Sequence, residues 1–194
     1  MALNDRCFPA LLGFALMLPI TFTQSQSTSH SKSARIEVSE PLTRALRHQL
    51  LMLPYYSVFD AIDFSLSGDT VTLTGQVLRP TLKAHAEAAV KSLEGVTAVV
   101  NNIEVLPRSA TDDELRRQVY RSIFEDPELA RYAIQAVPPI HIIVKNGTVT
   151  LVGKVDKEQD LALATKQVGR VRGVTSTQNL LTVRKTDPVP PVDK

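Results

Sequence analysis

The sequence predicts an α+β fold of two tandem αββαβ two-layer sandwiches, each a three-stranded sheet covered by two helices. Three observations lead there. The first is a self-match at one fixed offset of 78 residues, in which Gly68–Val77 (GDTVTLTGQV) lies against Asn146–Val155 (NGTVTLVGKV). The second is its reach: the same offset pairs Ile62 with Ile140, Phe64 with Ile142, Leu66 with Val144, Val90 with Val168, Gly95 with Gly173 and Asn101 with Asn179. A repeat of that length is one supersecondary unit present twice. The third is periodicity, which in each copy passes from helical to alternating and back in the order helix, strand, strand, helix, strand.

In the first copy, Leu42, Ala45, Leu46, Leu50 and Leu53 fall at helical spacing, with Ser39 as N-cap and Pro41 in the first turn. Alternation follows. Ile62, Phe64 and Leu66 form one period-2 face and Val71, Leu73 and Val77 the next, joined across Ser67-Gly68-Asp69 as a hairpin. Leu82, Ala86, Ala89, Val90 and Leu93 return to helical spacing after Pro80, which is tolerated at a helix start because its missing N–H has no partner there. Gly95 stops that helix, and Val99, Asn101, Ile103 and Val105 alternate as a last strand before Pro107.

The second copy has sharper punctuation. Thr111-Asp112-Asp113-Glu114 reads as a capping box ahead of the stripe Leu115, Val119 and Ile123. Asp126-Pro127 caps a short helical piece running to Ala133, and Asn146-Gly147 supplies the positive φ angles of a tight hairpin. Leu161, Ala164, Val168 and Val171 form the second helix, ended by Gly173. A unit near 60 residues buries only about 60% of its unfolded surface, so each should be modestly stable alone and the two are expected to pack together.

At 194 residues, 43% hydrophobic and 22% charged, the chain has the make-up of a globular protein and not of a fibrous or wholly disordered one. A net charge of +2 is too small for a general nucleic-acid binder. The charge is unevenly spread. Residues 37–107 carry eight acidic and five basic side chains, residues 108–185 nine acidic and thirteen basic, so the second copy suits an anionic surface. Arg6 and the apolar run Phe8–Phe22, too short to cross a bilayer comfortably, read as a signal peptide over residues 1–27, cut between Thr23 and Ser29. An uncleaved anchor is the second choice. Cys7 lies ahead of the apolar run, misplaced for lipid attachment, which leaves the mature chain without a thiol and suits an oxidising periplasm. The remaining divisions are a disordered linker over 28–37, modules at 38–106 and 111–184, and a disordered Pro-rich tail over 185–194.

At the paired hairpins Gly68–Val77 and Asn146–Val155, each followed by a helix and a helix-ending Gly95-Val96 or Gly173-Val174, the sequence resembles the BON domain, a bacterial module of osmotically induced periplasmic proteins and other envelope proteins. The resemblance covers residues 38–106 and 111–184 and departs from the family's pattern at Leu53–Asp60. It implies the αββαβ sandwich, and a non-catalytic association with phospholipid or envelope components.

Catalytic chemistry is sought and not found. His30, His48, His85 and His141 have no His or Cys partner at i+3 or i+4, which excludes a helical metal-ligand pair, and they read as solvated side chains. His141 alternates with Ile140 and Ile142 and so belongs to the opposite sheet face. Asp60 and Asp63 sit at a loop-to-strand junction with no His, Lys or Arg to tune them, and no G-x-S-x-G elbow occurs. Gly68, Gly75, Gly147 and Gly153 fit turns and a strand bend, not a phosphate loop. Asn101 and Asn179 read as amides satisfied locally, by a bulge or neighbouring loop, in preference to a ligand contact.

These readings predict no enzyme, no cofactor and no metal. The candidate binding face is the helix beginning at Thr111, where Arg116, Arg117 and Arg121 supply charge toward an anionic phospholipid or membrane surface, with Arg131 and Tyr132 nearby. Tyr120 and Phe124 would supply the apolar part of that contact. The expectation is a periplasmic envelope-associated protein binding anionic phospholipid through its second module, against the alternative of a protein–protein adaptor or scaffold holding another envelope protein.

Overall fold

A computed structural model describes residues 30–135 and 137–184, and of residues 30–39 only the course of the backbone. The signal-peptide, cleavage-site and tail expectations lie outside the described residues.

Helix α1 (His30–Leu51) opens the first module. It begins well before the expected cap at Ser39, so residues 30–37 are helical where the sequence suggested a linker. Pro41 lies inside the helix and costs one backbone hydrogen bond, and a helix carries on through such a gap when residues on either side favour it. Strands β1 (Ala61–Ser67) and β2 (Thr70–Val77) pair antiparallel across the two-residue turn Gly68-Asp69. Helix α2 (Pro80–Lys91) then crosses over to β3 (Ala98–Asn101) and β4 (Glu104–Val105), two halves of one broken strand, each parallel to β2. The sheet is therefore three strands wide. Leu46 and Leu50 of α1, Leu82, Ala86 and Val90 of α2, and Val71, Leu73 and Val77 of β2 make the core.

The second module repeats the plan with α3 (Ala110–Phe124), a single 3-10 turn (Ala130–Tyr132), β5 (Ile140–Lys145), β6 (Thr148–Val155), α4 (Glu158–Gly169) and β7 (Ser176–Val183). β5 and β6 are antiparallel and β6 and β7 parallel, with β7 unbroken over eight residues. Asn146 (φ 52°) and Gly147 (φ 76°) form the predicted positive-φ turn. Its two amides, at 2.9 and 3.0 Å, donate to the buried Asp112 carboxylate. The helix cap differs from the expected box. Ser109, not Thr111, is the N-cap, accepting from the Asp112 amide, and Thr111 lies inside the first turn of a helix that begins at Ala110.

Asn101 and Asn179 perform the same task in the two copies. Each amide nitrogen donates to the crossover helix, Asn101 to Lys83 O and Glu87, Asn179 to Leu161 O and Thr165. Each amide oxygen accepts from the backbone two residues on, Ile103 or Leu181. Arg184 N–H bonds β6 at Val155 O, so by strand alternation the Leu181 N–H faces the sheet edge, and Asn179 covers it.

The modules are joined by the segment that departs from the family's pattern. Asp60 fixes it from within, accepting from Ser57 N, Ser57 Oγ (2.6 Å) and Leu78 N (2.8 Å). Val58, a residue of the first module, is buried in the second module's core, and its carbonyl accepts from Ile142 N of β5 at 2.8 Å. Phe59 meets Tyr120 edge to face, and the Tyr56 ring lies 5.5 Å from that of His141. Lys145 pairs with Glu104 at 2.5 Å. Ile143 and Leu106 are also buried, yet belong to neither core. His141 does lie on the sheet face opposite Ile140 and Ile142, but it is not solvated: burial pushes its imidazole below the ordinary range, and its Nδ1 has no hydrogen-bond partner among the described residues.

Candidate functional site: the helix layer of the second module

The α3 stripe Leu115, Val119 and Ile123 packs into the core as expected. The five candidate residues do not form one surface. Arg116 is buried with 3% of its side chain exposed, bonded to Asp113 and, at 2.6 Å, to the Val144 carbonyl of β5. The reason is helical geometry: Asp112, Arg116, Val119 and Ile123 stand at i, i+4, i+7 and i+11, one continuous inward face. Phe124 is a core residue, and Tyr120 is half-buried against the core between Phe59 and Phe124. No apolar contact with a membrane is left on this helix. Arg117 and Arg121 are exposed as predicted. Arg117 is paired with Glu114 at 2.6 Å, and its hydrogen bond is the leading cause that holds the Glu114 carboxyl below its usual range.

The neighbours Arg131 and Tyr132 are structural. The Tyr132 hydroxyl donates to buried Asp160 at 2.6 Å and accepts from Asp156 N, while Arg131 lies over the Tyr132 ring and bonds Asp160. Burial acts to raise the Asp160 carboxyl, but the Tyr132 and Arg131 hydrogen bonds outweigh it and leave it below the usual range.

The cations that the first helix fails to supply come from the second. α3 and α4 lie side by side, with Ser122 Oγ donating to Gln167 O at 2.8 Å and Gln167 donating to Asp126. That contact joins the C-terminal parts of the two helices, the parts that carry Arg121 and Lys166. Arg170 is one turn beyond Lys166, bonded to the Gln167 side chain, and Arg172 follows. All four are exposed, and among the described residues none has an acidic partner within 4.0 Å. Sequence reasoning passed over Lys166, Arg170 and Arg172, although Lys166 and Arg170 at i, i+4 share a helix face.

No other chemistry gathers here. Among the described residues no group of three or more His, Cys, Asp or Glu could hold a metal ion. Asp60 and Asp63 are separated in role, the first buried as a loop anchor, the second bonded to its neighbour's amide, Phe64 N. Also among the described residues, no helix is long and apolar enough to cross a membrane.

Two sandwiches with polar groups committed to turns, edges and the joint define a small α+β module in duplicate. The BON domain family profile matches residues 40–107 and again 111–185, and the chain belongs to the BON domain family as a tandem of two such domains. As a member it is a non-catalytic, envelope-type protein. A search of curated proteins gives no match. Seven chains of solved structures match. One comes from structural studies of CdsD, a structural protein of the type III secretion system of Chlamydia trachomatis, at 13% identity and a TM-score of 0.27, covering 74% of this chain and 92% of that one. Another is the C-terminal domain of the same protein, at 14% identity and a TM-score of 0.27, covering 74% of this chain and 98% of that one.

Proposed function

We propose that this is an exported protein that associates with anionic phospholipid at an envelope membrane surface through the helix layer of its second module. The observation that carries the reading is the group Arg121, Lys166, Arg170 and Arg172, exposed on adjacent helix ends without acidic partners among the described residues. The attraction there is electrostatic, since the aromatic residues of α3 are committed to the core. Each cation near an anionic surface contributes on the order of 1 kcal/mol, and the interaction fades beyond a Debye length of about 10 Å at 0.1 M salt.

Both cores lie within residues 42–181, so a chain beginning at His30 retains the whole fold and is the form to test. Its co-sedimentation with anionic vesicles is expected at low salt, to weaken steeply with added salt, and to be absent with neutral vesicles. Removing three charges as R121Q/K166Q/R170Q should lower the affinity by roughly two orders of magnitude at low salt. Undiminished binding by that folded variant, or no binding by the parent, rejects the assignment and favours the adaptor.

A further inference from the structure

The described residues that expose large apolar side chains include three from one short stretch of the first module. Leu51 is 43%, Met52 68% and Tyr55 69% exposed, at the end of α1 and in the turn after it. Arg44, Arg47, His48, Leu51 and Met52 stand at i, i+3, i+4, i+7 and i+8, one outward stripe that is basic at its start and apolar at its end. Tyr55 sits at φ 68°, a left-handed conformation that a tyrosine adopts only at a cost. The Arg79 guanidinium lies over its ring, 5.1 Å from the centroid.

The repeat provides an internal control. The first helices pair at an offset of 73, since α1 ends at Leu51 and α3 at Phe124 and Leu42 faces Gly95 as Leu115 faces Gly173. Leu51 then corresponds to the buried Phe124, and Met52 and Tyr55 to Glu125 and Glu128. The basic positions are kept in part: Arg44 corresponds to Arg117 and His48 to Arg121, while Arg47 corresponds to Tyr120. The fold itself therefore does not require apolar side chains at Met52 and Tyr55.

We propose that Leu51, Met52 and Tyr55, with Arg44, Arg47 and Arg79 behind them, form an insertion point at an anionic bilayer surface. This rests on the lipid reading of the preceding subsection and adds to it the apolar element that α3 lacks. Charge complementarity selects the occupant. Glu40 is the sole acidic residue between Glu40 and Tyr55, and Arg44, Arg47 and Arg79 have no acidic partner among the described residues. Size points the same way. A stable protein interface buries about 800 Å² per partner around a packed centre, far more than three side chains at a helix end supply, whereas a few aliphatic and aromatic groups beside cations suffice to seat a segment among lipid headgroups.

The chain has no tryptophan, so one placed at Met52 reports on this site alone. In the chain beginning at His30, M52W emission is expected to shift to the blue on adding phosphatidylglycerol-containing vesicles and to be quenched when the lipid acyl chains are brominated. The variant L51Q/M52Q/Y55N, whose asparagine suits the left-handed backbone, should keep its circular dichroism and bind those vesicles about tenfold more weakly. Co-sedimentation with an unshifted, unquenched M52W would overturn the insertion point and leave the lipid reading standing. Absence of co-sedimentation at low salt would overturn both, and a blue shift produced by a protein partner with no response to vesicles would return the patch to protein docking.

Discussion

Between the first helix and the first strand, the two modules treat equivalent chain in opposite ways. In the second, the stretch turns inward: Leu129 and Tyr132 are buried, and the Tyr132 hydroxyl ties the turn to Asp160 and Asp156. In the first, Leu53 still serves its own core, but Tyr55 points out and Val58 is given to the neighbour. The sandwich is the same on both sides of this difference. What the repeat specifies is the hairpin, the crossover helix and the Asn-capped edge; what the preceding segment specifies is the attachment of the sandwich to something else.

The largest effect should come from the position where the copies agree most closely. A Cβ at Gly75 would overlap the Ala61 carbonyl and one at Gly153 the Pro139 carbonyl, both at positive φ. Gly153→Ala and Gly75→Ala are each expected to destabilise by roughly 3 kcal/mol or more, read by urea denaturation. A tolerated Gly75→Ala beside a damaging Gly153→Ala would show that the first module does not obey the same geometry.

A smaller effect sharpens the contrast. Val58→Ala removes two methyl groups from the second core although the residue belongs to the first module, and should cost about 1–2 kcal/mol. Amide exchange should locate the loss in β5 and β6. Loosening confined to β1 and β2 would contradict the cross-module packing.

The smallest concerns pH. Burial lowers the imidazole of His141, which faces Tyr56, Asp60 and the carbonyls of Ser57 and Asp60; burial also raises the Tyr56 phenol to about 12, so this ring stays neutral. The unfolded chain takes up the His141 proton near pH 6.5, while the folded chain resists it until a lower pH. Stability should therefore be flat in this group above about pH 6.5 and fall as pH drops below it, by at most about 1.4 kcal/mol per pH unit, until the folded pKa is passed. His141→Gln should flatten that part of the profile in thermal melts at fixed pH. An unchanged slope would show that the joint does not exclude water.

The sandwich was legible because hairpins and crossover helices are local: alternation, an Asn-Gly turn and helix-ending glycines mark them within ten residues, and the repeat shows them twice. The amides of Asn101 and Asn179 were also read in the right direction, as locally satisfied groups, though their partners are the helix and the strand's own backbone. Three features escaped because they depend on distant chain. The Asp112 carboxylate is taken by a hairpin 34 residues on, while Ser109 caps the helix. Arg116 reads as polar and therefore outward, yet the Val144 carbonyl and Asp113 make its burial affordable. His141 is covered by Tyr56, a contact no periodicity announces. The five residues singled out on α3 are dispersed for the same reason: Arg116 and Phe124 are buried, and further exposed cations, Lys166 and Arg170, stand on a second helix.

The Val58 contact also bears on how this protein can be cut. A chain started at residue 108 keeps every strand and helix of the second module but has a side chain missing from its core and an unanswered N–H at Ile142 on an edge strand. Such a fragment is an adhesive object: its vacancy and bare edge invite another copy to fill them. Association measured on it would report the wound left by the scissors, and a partner screen using it as bait would enrich for whatever plugs that hole.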